Sequence, residues 1–372
     1  MTAVDVSIVT SGHDVADARL HREVAALARA GLRVEVLGLG DAAAGPPEAT
    51  VRTWPRRGGV GRARLALALP WRAAAPVVVT LDPDAAVGAH LLRALRRLRR
   101  RPVRVVADVH EDYRLLLRDR AWASGPRRLA GDAWAWAGER AARRADLTVV
   151  ADDPLLPDAP RRVVLRNLPD PAMLPGPSEP DAEPRAVYVG DLRRSRGLFA
   201  MLEAVAAAPG WRLDLVGPIA ADDRPEAERR MAAADLAGRV RWFDRLPPRR
   251  AWEHARGAWV GLLLLEPTPA FRRAMPSKLY EYLACGLPVL ATPLERVAAL
   301  LDETGAGVTV TSAEEAAGRL ARWADGDAEL ARLRAAARAA GDAFTGGADA
   351  FVAACAALVA DARRGGRIPR SG

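Results

Sequence analysis

Short apolar runs alternate with amphipathic segments along most of the chain. The first strand-like run, Val6–Thr10, precedes a helical pattern over Asp17–Ala30, which Gly31 ends. Further strand-like runs lie at Leu32–Leu37, Pro76–Thr80, Val103–Val109, Leu147–Val150 and Arg162–Leu165, with helical patterns at Asp84–Arg101 and Arg127–Arg144. Strands that alternate with helices predict a parallel, doubly wound α/β sheet.

A proline-rich segment, residues 169–184, interrupts this pattern and predicts an interdomain linker. Beyond it the alternation restarts, with strand-like runs at Ala186–Val189, Leu213–Val216, Val240–Phe243, Trp259–Leu265, Pro288–Ala291 and Gly307–Val310. Alanine-rich helical segments from Ala313 to Asp361 finish the chain. We therefore expect an N-terminal domain over residues 1–168, a second domain over 185–348 and a C-terminal helix over 349–365, with two Rossmann-like domains facing each other across a central cleft.

The second domain contains the only lysine of the chain, Lys278, among 55 lysines and arginines. Pro276 and Ser277 predict that a helix starts there, so Lys278 falls in the first turn, where free N–H groups and the helix dipole favour an anion. A compact ammonium suits a phosphate oxygen, and Glu281, on the same helical face, suits the hydroxyls of an attached sugar. The alternative is an ordinary helix with a solvent-facing Lys278–Glu281 pair.

The charge distribution points to an anionic partner for the N-terminal half. The net charge is +9; residues 1–170 hold 28 arginines against 20 acids, and residues 171–372 hold 27 basic residues against 26 acids. The run Leu91–Arg101 is either a core-packed helix with arginines in water or part of a peripheral patch on an anionic membrane. Aromatic residues do not interleave with Arg93–Arg101, and no nucleic-acid motif is present, so we expect no nucleic-acid partner.

The cellular compartment follows from what the sequence lacks. Cys285 and Cys355 are too few for a disulfide framework and have no metal-ligand spacing. No targeting pattern and no apolar run of about 20 residues is visible. We expect a cytoplasmic protein. Because its N-terminal half is basic, we also consider peripheral binding at the inner face of the membrane.

Four motifs, taken in order, resemble the family-four retaining glycosyltransferases of the GT-B fold (glycosyl transferases group 1). They are Gly12–Arg19 (GHDVADAR), Asp108–Tyr113 (DVHEDY), Val189–Gly197 (VGDLRRSRG) and Pro276–Val289 (PSKLYEYLACGLPV). The last motif is the most specific of the four. The resemblance covers nearly the whole chain.

The resemblance implies transfer of a sugar from a nucleotide-diphosphate sugar, the donor, to an acceptor that is a glycan, a lipid or a small molecule. It implies retention of configuration and, because fixed cations neutralise the leaving diphosphate, no metal and no other cofactor. It also implies that helix 349–365 packs back on the N-terminal, acceptor-side domain. The implied catalytic residues are His110, Lys278 and Arg196; the donor-binding residues are Glu281, Gly190, Ser277, Leu279 and Gly217; the acceptor-side residues are His13, Asp17, Arg19 and Glu111.

Two departures from the family pattern bear on these roles. Arg273 stands where the first glutamate of the E-x7-E pattern is expected, which affects recognition of the donor sugar. Asp191 and Arg196 replace an expected arginine and lysine, so one cation is lost. An epimerase or phosphorylase on the same scaffold, and a non-enzymatic basic binding protein, remain alternatives. The sequence identifies neither the base, the sugar, the acceptor nor the oligomeric state.

Overall fold

The computed structural model describes residues 4–98, 102–113 and 126–365. The chain divides into two compact units. Unit 1 comprises the chain up to Asn167 together with the chain from Gly347 onward, and unit 2 comprises Leu168–Gly346.

Unit 1 contains a seven-stranded parallel sheet with the strand order β3-β2-β1-β4-β5-β6-β7. Its strands are β1 (Val6–Asp14), β2 (Val34–Leu39), β3 (Ala49–Trp54), β4 (Val77–Thr80), β5 (Arg104–Val109), β6 (Leu147–Val150) and β7 (Arg162–Val164). Its first four helices are α1 (Ala18–Arg29), α2 (Gly59–Ala68), α3 (Pro83–Leu98) and α4 (Pro126–Arg143). Every strand except β3 and β7 is buried over most of its length, as a sheet covered by helices on both sides requires.

The two faces of this sheet have different coverings. On one face Ile8 packs with Leu20 of α1 and with Phe351 of the C-terminal helix, Asp349–Gly365. On the other face Val9 packs with Leu92 of α3, and α2 and α4 flank α3. Alternate residues of β1 therefore feed two separate cores.

Unit 2 contains a six-stranded parallel sheet with the order β10-β9-β8-β11-β12-β13. Its strands are β8 (Arg185–Val189), β9 (Arg212–Val216), β10 (Val240–Phe243), β11 (Val260–Leu263), β12 (Val289–Ala291) and β13 (Gly307–Thr309). Its helices are α5 (Leu198–Ala206), α6 (Arg224–Met231), α7 (Pro248–Trp252), α8 (Pro269–Arg273), α9 (Ser277–Ala284), α10 (Glu295–Thr304), α11 (Ala313–Ala324) and α12 (Ala328–Ala340). The C-terminal helix of unit 1 is α13. The predicted α/β class with two Rossmann-like domains is confirmed.

The proline-rich segment 169–184, predicted as an interdomain linker, packs onto unit 2. Asp181 N–H donates to the Gly257 carbonyl at 2.8 Å, and Arg338 donates to the Ser178 carbonyl at 2.8 Å. Leu174 contacts the core of unit 2. Proline fixes the backbone φ angle but leaves carbonyls and side chains free to pack. A proline-rich composition therefore does not show whether such a segment is packed onto a domain.

Two elements differ from the sequence-based expectation. The edge strand β3 and helix α2 have no counterpart in the predicted pattern, because β3 alternates polar residues and α2 buries only Ala66. The long helical region after Ala313 is three helices. Its stretch Ala328–Arg364 has the length and apolar composition of a membrane span, but it comprises α12, a 3-10 turn over Gly341–Phe344 and α13, which belong to different units.

Candidate active site

In unit 2, the amine of Lys278 lies directly over Gly190, which follows β8. A Cβ on Gly190 would stand 2.4 Å from Lys278 Cε and 2.5 Å from Nζ, and its φ of 134° is one that glycine adopts readily. Nζ also lies 5.4 Å from the ring centre of Tyr188. Among the described residues no carboxylate lies within ion-pair distance of Nζ, so the alternative Lys278–Glu281 pair is not formed.

Helix α9 is fixed in place by Tyr282, which is fully buried. Its hydroxyl lies 3.3 Å from the carbonyl oxygens of Val187 and Leu262, which belong to adjacent strands β8 and β11. Its ring packs on Gly261, where a Cβ would be 2.6 Å from the ring. A bulky aromatic anchored to two strands holds the first turn of α9, and therefore Lys278, at the carboxyl end of the sheet.

The floor beneath Lys278 is bare backbone. Gly190 N–H donates to the Val216 carbonyl at 2.7 Å, which joins the ends of β8 and β9. At Gly217, with φ 139°, a Cβ would stand 2.1 Å from the Gly190 carbonyl oxygen. Trp242 Nε1 donates to the Gly217 carbonyl at 2.9 Å. Both glycines are therefore required for the two strand ends to meet, and they leave space for a ligand's phosphate to approach main chain.

Three arginines converge on a single carboxylate beside this floor. Their guanidinium nitrogens lie 3.4 Å (Arg193), 3.9 Å (Arg196) and 3.8 Å (Arg245) from Asp191 oxygens. The positive charge exceeds the negative charge, before Lys278 is added. The sequence identified Arg196; Arg245 was missed, because it is one of many arginines and no motif surrounds it.

The turn that carries Arg196 is held by close backbone contacts. Gly197 has φ 80°, and a Cβ on it would stand 2.0 Å from the Leu264 carbonyl oxygen. Glu266 N–H donates to the Ser195 carbonyl at 3.0 Å. The neighbouring Arg194 pairs with Glu226 at 2.5 Å and stacks on Phe199.

The remaining predicted donor-binding residues play different parts. Ser277 Oγ donates to Glu281 Oε2 at 3.4 Å, and Glu281 is buried, 5% exposed. Leu279 is fully buried in the core and its N–H already donates to the Pro276 carbonyl, so it supports the helix and has no side-chain route to a ligand. The side chain of Arg273 lies outside the described part of the chain.

In unit 1, Arg19 lies beneath a cluster of acidic and histidine side chains. Its Nε and Nη2 donate to the two oxygens of Asp108 at 2.8 and 2.6 Å. Its Nη1 donates to the Leu165 carbonyl at 2.9 Å and to Asn167 Oδ1 at 2.7 Å. The guanidinium is buried and its donors are occupied, so Arg19 positions Asp108 and does not face an acceptor, contrary to the expectation from the sequence.

The two histidines stand above this support. His110 Nε2 lies 2.5 Å from Asp108 Oδ2, and the His110 and His13 rings are 5.3 Å apart. His13 Nδ1 lies 3.5 Å from Asp17 and its Nε2 lies 3.8 Å from Asp82. Burial opposes the charged form, but the Asp17 hydrogen bond and the negative charges of Asp82 and Asp17 outweigh it and raise the pKa of His13 to about 9.

The carboxylates around His13 also hold its backbone. Asp17 is the N-cap of α1 and accepts from Arg19 N–H at 2.9 Å. Asp82 accepts from Thr10 Oγ1 at 2.7 Å and from Ser11 N–H at 2.8 Å, so it fixes the end of β1, which carries His13. Helix α3 begins at Pro83, directly after it. Glu111 is exposed beside this cluster.

Glu23 is the remaining carboxylate of the cluster and lies beside Arg19. It is 2% exposed, and its Oε1 lies 3.0 Å from Arg19 Nε. Burial and the negative charge of Asp108 raise the pKa of Glu23 well above its ordinary value, against the opposing charge of Arg19. Within the described residues, Glu23, Asp108 and His110 are the only histidine–carboxylate group compact enough for a metal ion. The guanidinium of Arg19 already supplies the cation there, so the group does not fit a metal.

Comparison with known families decides the identity of unit 2. Residues 174–340 match the family model described as glycosyl transferases group 1. The match covers 167 of the 372 residues, all of them within unit 2. No curated protein matches the sequence significantly.

Solved structures of glycosyltransferases show that the whole chain has the GT-B fold. Sucrose-phosphate synthase from Thermosynechococcus elongatus is 15% identical, with a TM-score of 0.69 over 97% of this chain and 98% of its own. HepE from Anabaena, solved with UDP-glucose, is 16% identical, with a TM-score of 0.67 over 97% and 99%. WaaG, a glycosyltransferase of lipopolysaccharide biosynthesis, is 15% identical, with a TM-score of 0.61 over 94% and 98%. The predicted resemblance to glycosyl transferases group 1 and the enzyme class are confirmed.

The family match divides the candidate site residues of the glycosyltransferase. Gly190, Arg196, Gly217 and Lys278 lie inside the matched region, whereas the His13–His110 cluster lies outside it. The family evidence therefore bears on unit 2, and the role of unit 1 rests on its own geometry.

Proposed function

We propose that this glycosyltransferase takes a sugar from a nucleotide-diphosphate sugar and transfers it, with retention and without a metal, to a hydroxyl of a glycan, lipid or small molecule. The observation that carries the proposal is the Lys278 amine, which has no carboxylate partner among the described residues and lies over the bare Gly190–Gly217 backbone. The structure of HepE with UDP-glucose supports the same class of donor.

In this proposal the bond between the anomeric carbon and the diphosphate oxygen breaks, and its electron pair stays on the diphosphate. Lys278, the N-terminus of α9 and Arg196 stabilise the charge that develops there. The acceptor oxygen bonds to the anomeric carbon on the face that the diphosphate leaves. The departing phosphate oxygen takes the proton of the acceptor hydroxyl at the same time. Because fixed cations stabilise the leaving group, no metal is needed.

Four other predicted residues bind hydroxyls. Glu281 accepts from the ribose of the nucleotide, and His110, oriented by Asp108, binds a hydroxyl of the transferred sugar. His13 and Asp17 serve an acceptor hydroxyl. We also propose a cytoplasmic location, which the free, buried Cys285 and Cys355 support.

The Lys278→Ala variant tests this function. Nucleoside diphosphates are first ranked by thermal shift, since a tight ligand stabilises the protein, and the corresponding sugar donor is then assayed for hydrolysis and transfer. We expect kcat/KM to fall about 10²–10³-fold, as when one preorganised charge-stabilising group is lost. Arg332→Ala, an exposed arginine of unit 2, is the matched control and keeps full activity.

Two further measurements separate the alternatives. A chelator leaves turnover unchanged if the enzyme is metal-independent; loss that Mg²⁺ restores would overturn that part of the proposal. Incubation of the donor without acceptor yields hydrolysis products only, whereas an epimeric donor would identify an epimerase. Unchanged turnover in Lys278→Ala would remove the site assignment.

A further inference from the structure

The exposed large hydrophobic side chains of the described residues all belong to one face of unit 1. They lie on α2 and the 3-10 turn after it, on α3 and on α4, which together cover the sheet face opposite α1 and α13. These residues are Val60 (70% exposed), Leu67 (41%), Trp71 (45%), Leu91 (54%), Leu98 (81%), Leu129 (74%) and Trp136 (55%). Such side chains scattered singly need no explanation, but a set confined to one face marks an interaction surface.

Their spacing aligns them along the solvent side of each helix. Val60, Arg64, Leu67 and Trp71 follow one another at intervals of four, three and four residues, so they form a single stripe along α2 and its 3-10 turn. Leu91 and Leu98 on α3 are seven residues apart, as are Leu129 and Trp136 on α4. The opposite sides of these helices pack into the core of unit 1. Each helix is therefore apolar towards the core and partly apolar towards solvent.

Arginines surround the stripes on α2 and α3, and acids are scarce there. Residues 49–81 contain six arginines and no acid, and residues 85–107 contain seven arginines and no acid. Arg64, Leu67, Ala68, Trp71 and Arg72 line a shallow groove. Arg140 lies 5.6 Å from the ring centre of Trp136. Arg64 and Arg97 are exposed and have no carboxylate within ion-pair distance in the described part of the chain.

We propose that this face, the α2–α4 face, is a docking surface for an anionic phospholipid bilayer. Leucine, valine and tryptophan side chains enter the headgroup–acyl boundary while the surrounding arginines neutralise lipid phosphates. A second copy of the chain is a poor occupant, because two faces of the same positive charge repel each other. Nucleic acid is also a poor occupant, because five of the seven exposed side chains are aliphatic and do not stack on bases. Helix α3 is the central helix of this surface, and the stripe on α2 is the part that the sequence pattern did not single out.

Co-sedimentation with large unilamellar vesicles tests the proposal on the full chain. We expect recovery with vesicles of phosphatidylglycerol and phosphatidylcholine and none with phosphatidylcholine alone. Arg64→Glu/Arg97→Glu should weaken partitioning about 30-fold or more, since each basic charge contributes roughly fivefold. Leu67→Ser/Trp71→Ser should weaken it about tenfold or more by removing buried apolar area.

The matched control is Arg229→Glu/Arg332→Glu, which makes the same charge change on exposed arginines of unit 2 and should bind as the wild type does. Donor hydrolysis in solution should stay unchanged in all these variants, so failure of lipid binding is distinguishable from failure of the proposed transfer. Equal recovery with and without phosphatidylglycerol, or equal loss in the control, would overturn the proposal. So would a wild-type dimer in analytical ultracentrifugation that Leu67→Ser/Trp71→Ser dissociates, because a second copy would then cover the face.

Discussion

The candidate sites of the two units follow strands of similar parallel sheets but carry opposite charge. In unit 1 five carboxylates surround one buried arginine and two histidines; the carboxylates are Asp17, Glu23, Asp82, Asp108 and Glu111. In unit 2 three arginines, Arg193, Arg196 and Arg245, surround one carboxylate, Asp191, and Lys278 lies over the neighbouring Gly190. The difference teaches that an anionic diphosphate is favoured only in unit 2, whereas unit 1 offers acceptors for the hydroxyls of a sugar.

The two sites also differ in how far their charges are already satisfied. Arg19 donates hydrogen bonds to Asp108, Leu165 and Asn167, so its charge stabilises the folded chain. Lys278 has no carboxylate partner among the described residues, so its charge remains available to a ligand. Loss of a cation should therefore reduce stability in unit 1 and reduce donor binding in unit 2.

The substitution Arg19→Met should have the largest effect and tests whether the charge of Arg19 stabilises the fold. Removing the guanidinium leaves Asp108 buried without its partner, which typically costs about 3–5 kcal/mol. For a unit of this size the melting temperature should fall by roughly 10 °C, as followed by circular dichroism. Lys278→Met is the matched control, because it removes one positive charge that has no carboxylate partner and should leave the melting temperature nearly unchanged. Equal shifts in the two variants would refute the contrast.

Gly190→Ala sharpens the comparison from the side of unit 2. A Cβ at φ 134° is strained by about 1–3 kcal/mol, and it would also displace the Lys278 amine. We expect a modest loss of stability together with weaker binding of the nucleoside diphosphate, measured by calorimetry. Gly210→Ala is the control: Gly210 also has a positive φ, but nothing lies within 4 Å of its Cβ position. If both variants bind the nucleotide as the wild type does, the position of Lys278 over Gly190 is not what holds the diphosphate.

The sequence predicts much of this arrangement where a local pattern carries it. The helix start at Ser277, the single lysine and the glycines after β8 and β9 are visible because each is a backbone or capping requirement. The part played by Arg19 was not predictable, since its partners Asp108 and Asn167 are 89 and 148 residues away along the chain. Arg245 and the α2 stripe were not predicted for a related reason. Arg245 is one of 55 basic residues, and α2 has an ordinary alanine-rich sequence, so only the folded chain shows which of their side chains lie together.

The titration of His13 should have the smallest effect on stability. It tests most directly whether the carboxylates outnumber the cations around His13 in unit 1. Its folded-state pKa of about 9 lies above the ordinary value of 6.5, so charged His13 stabilises the fold fully below pH 6.5. That contribution is lost as the pH rises through about 9, and the stability advantage of the wild type over His13→Gln should shrink over this range. Proton NMR of the five histidines measures the pKa itself, and Asp17→Asn should lower it by removing the hydrogen-bonded carboxylate. A His13 that titrates near 6.5 in the wild type would mean that the carboxylates of unit 1 are screened, and the electrostatic difference between the two units would then rest on unit 2 alone.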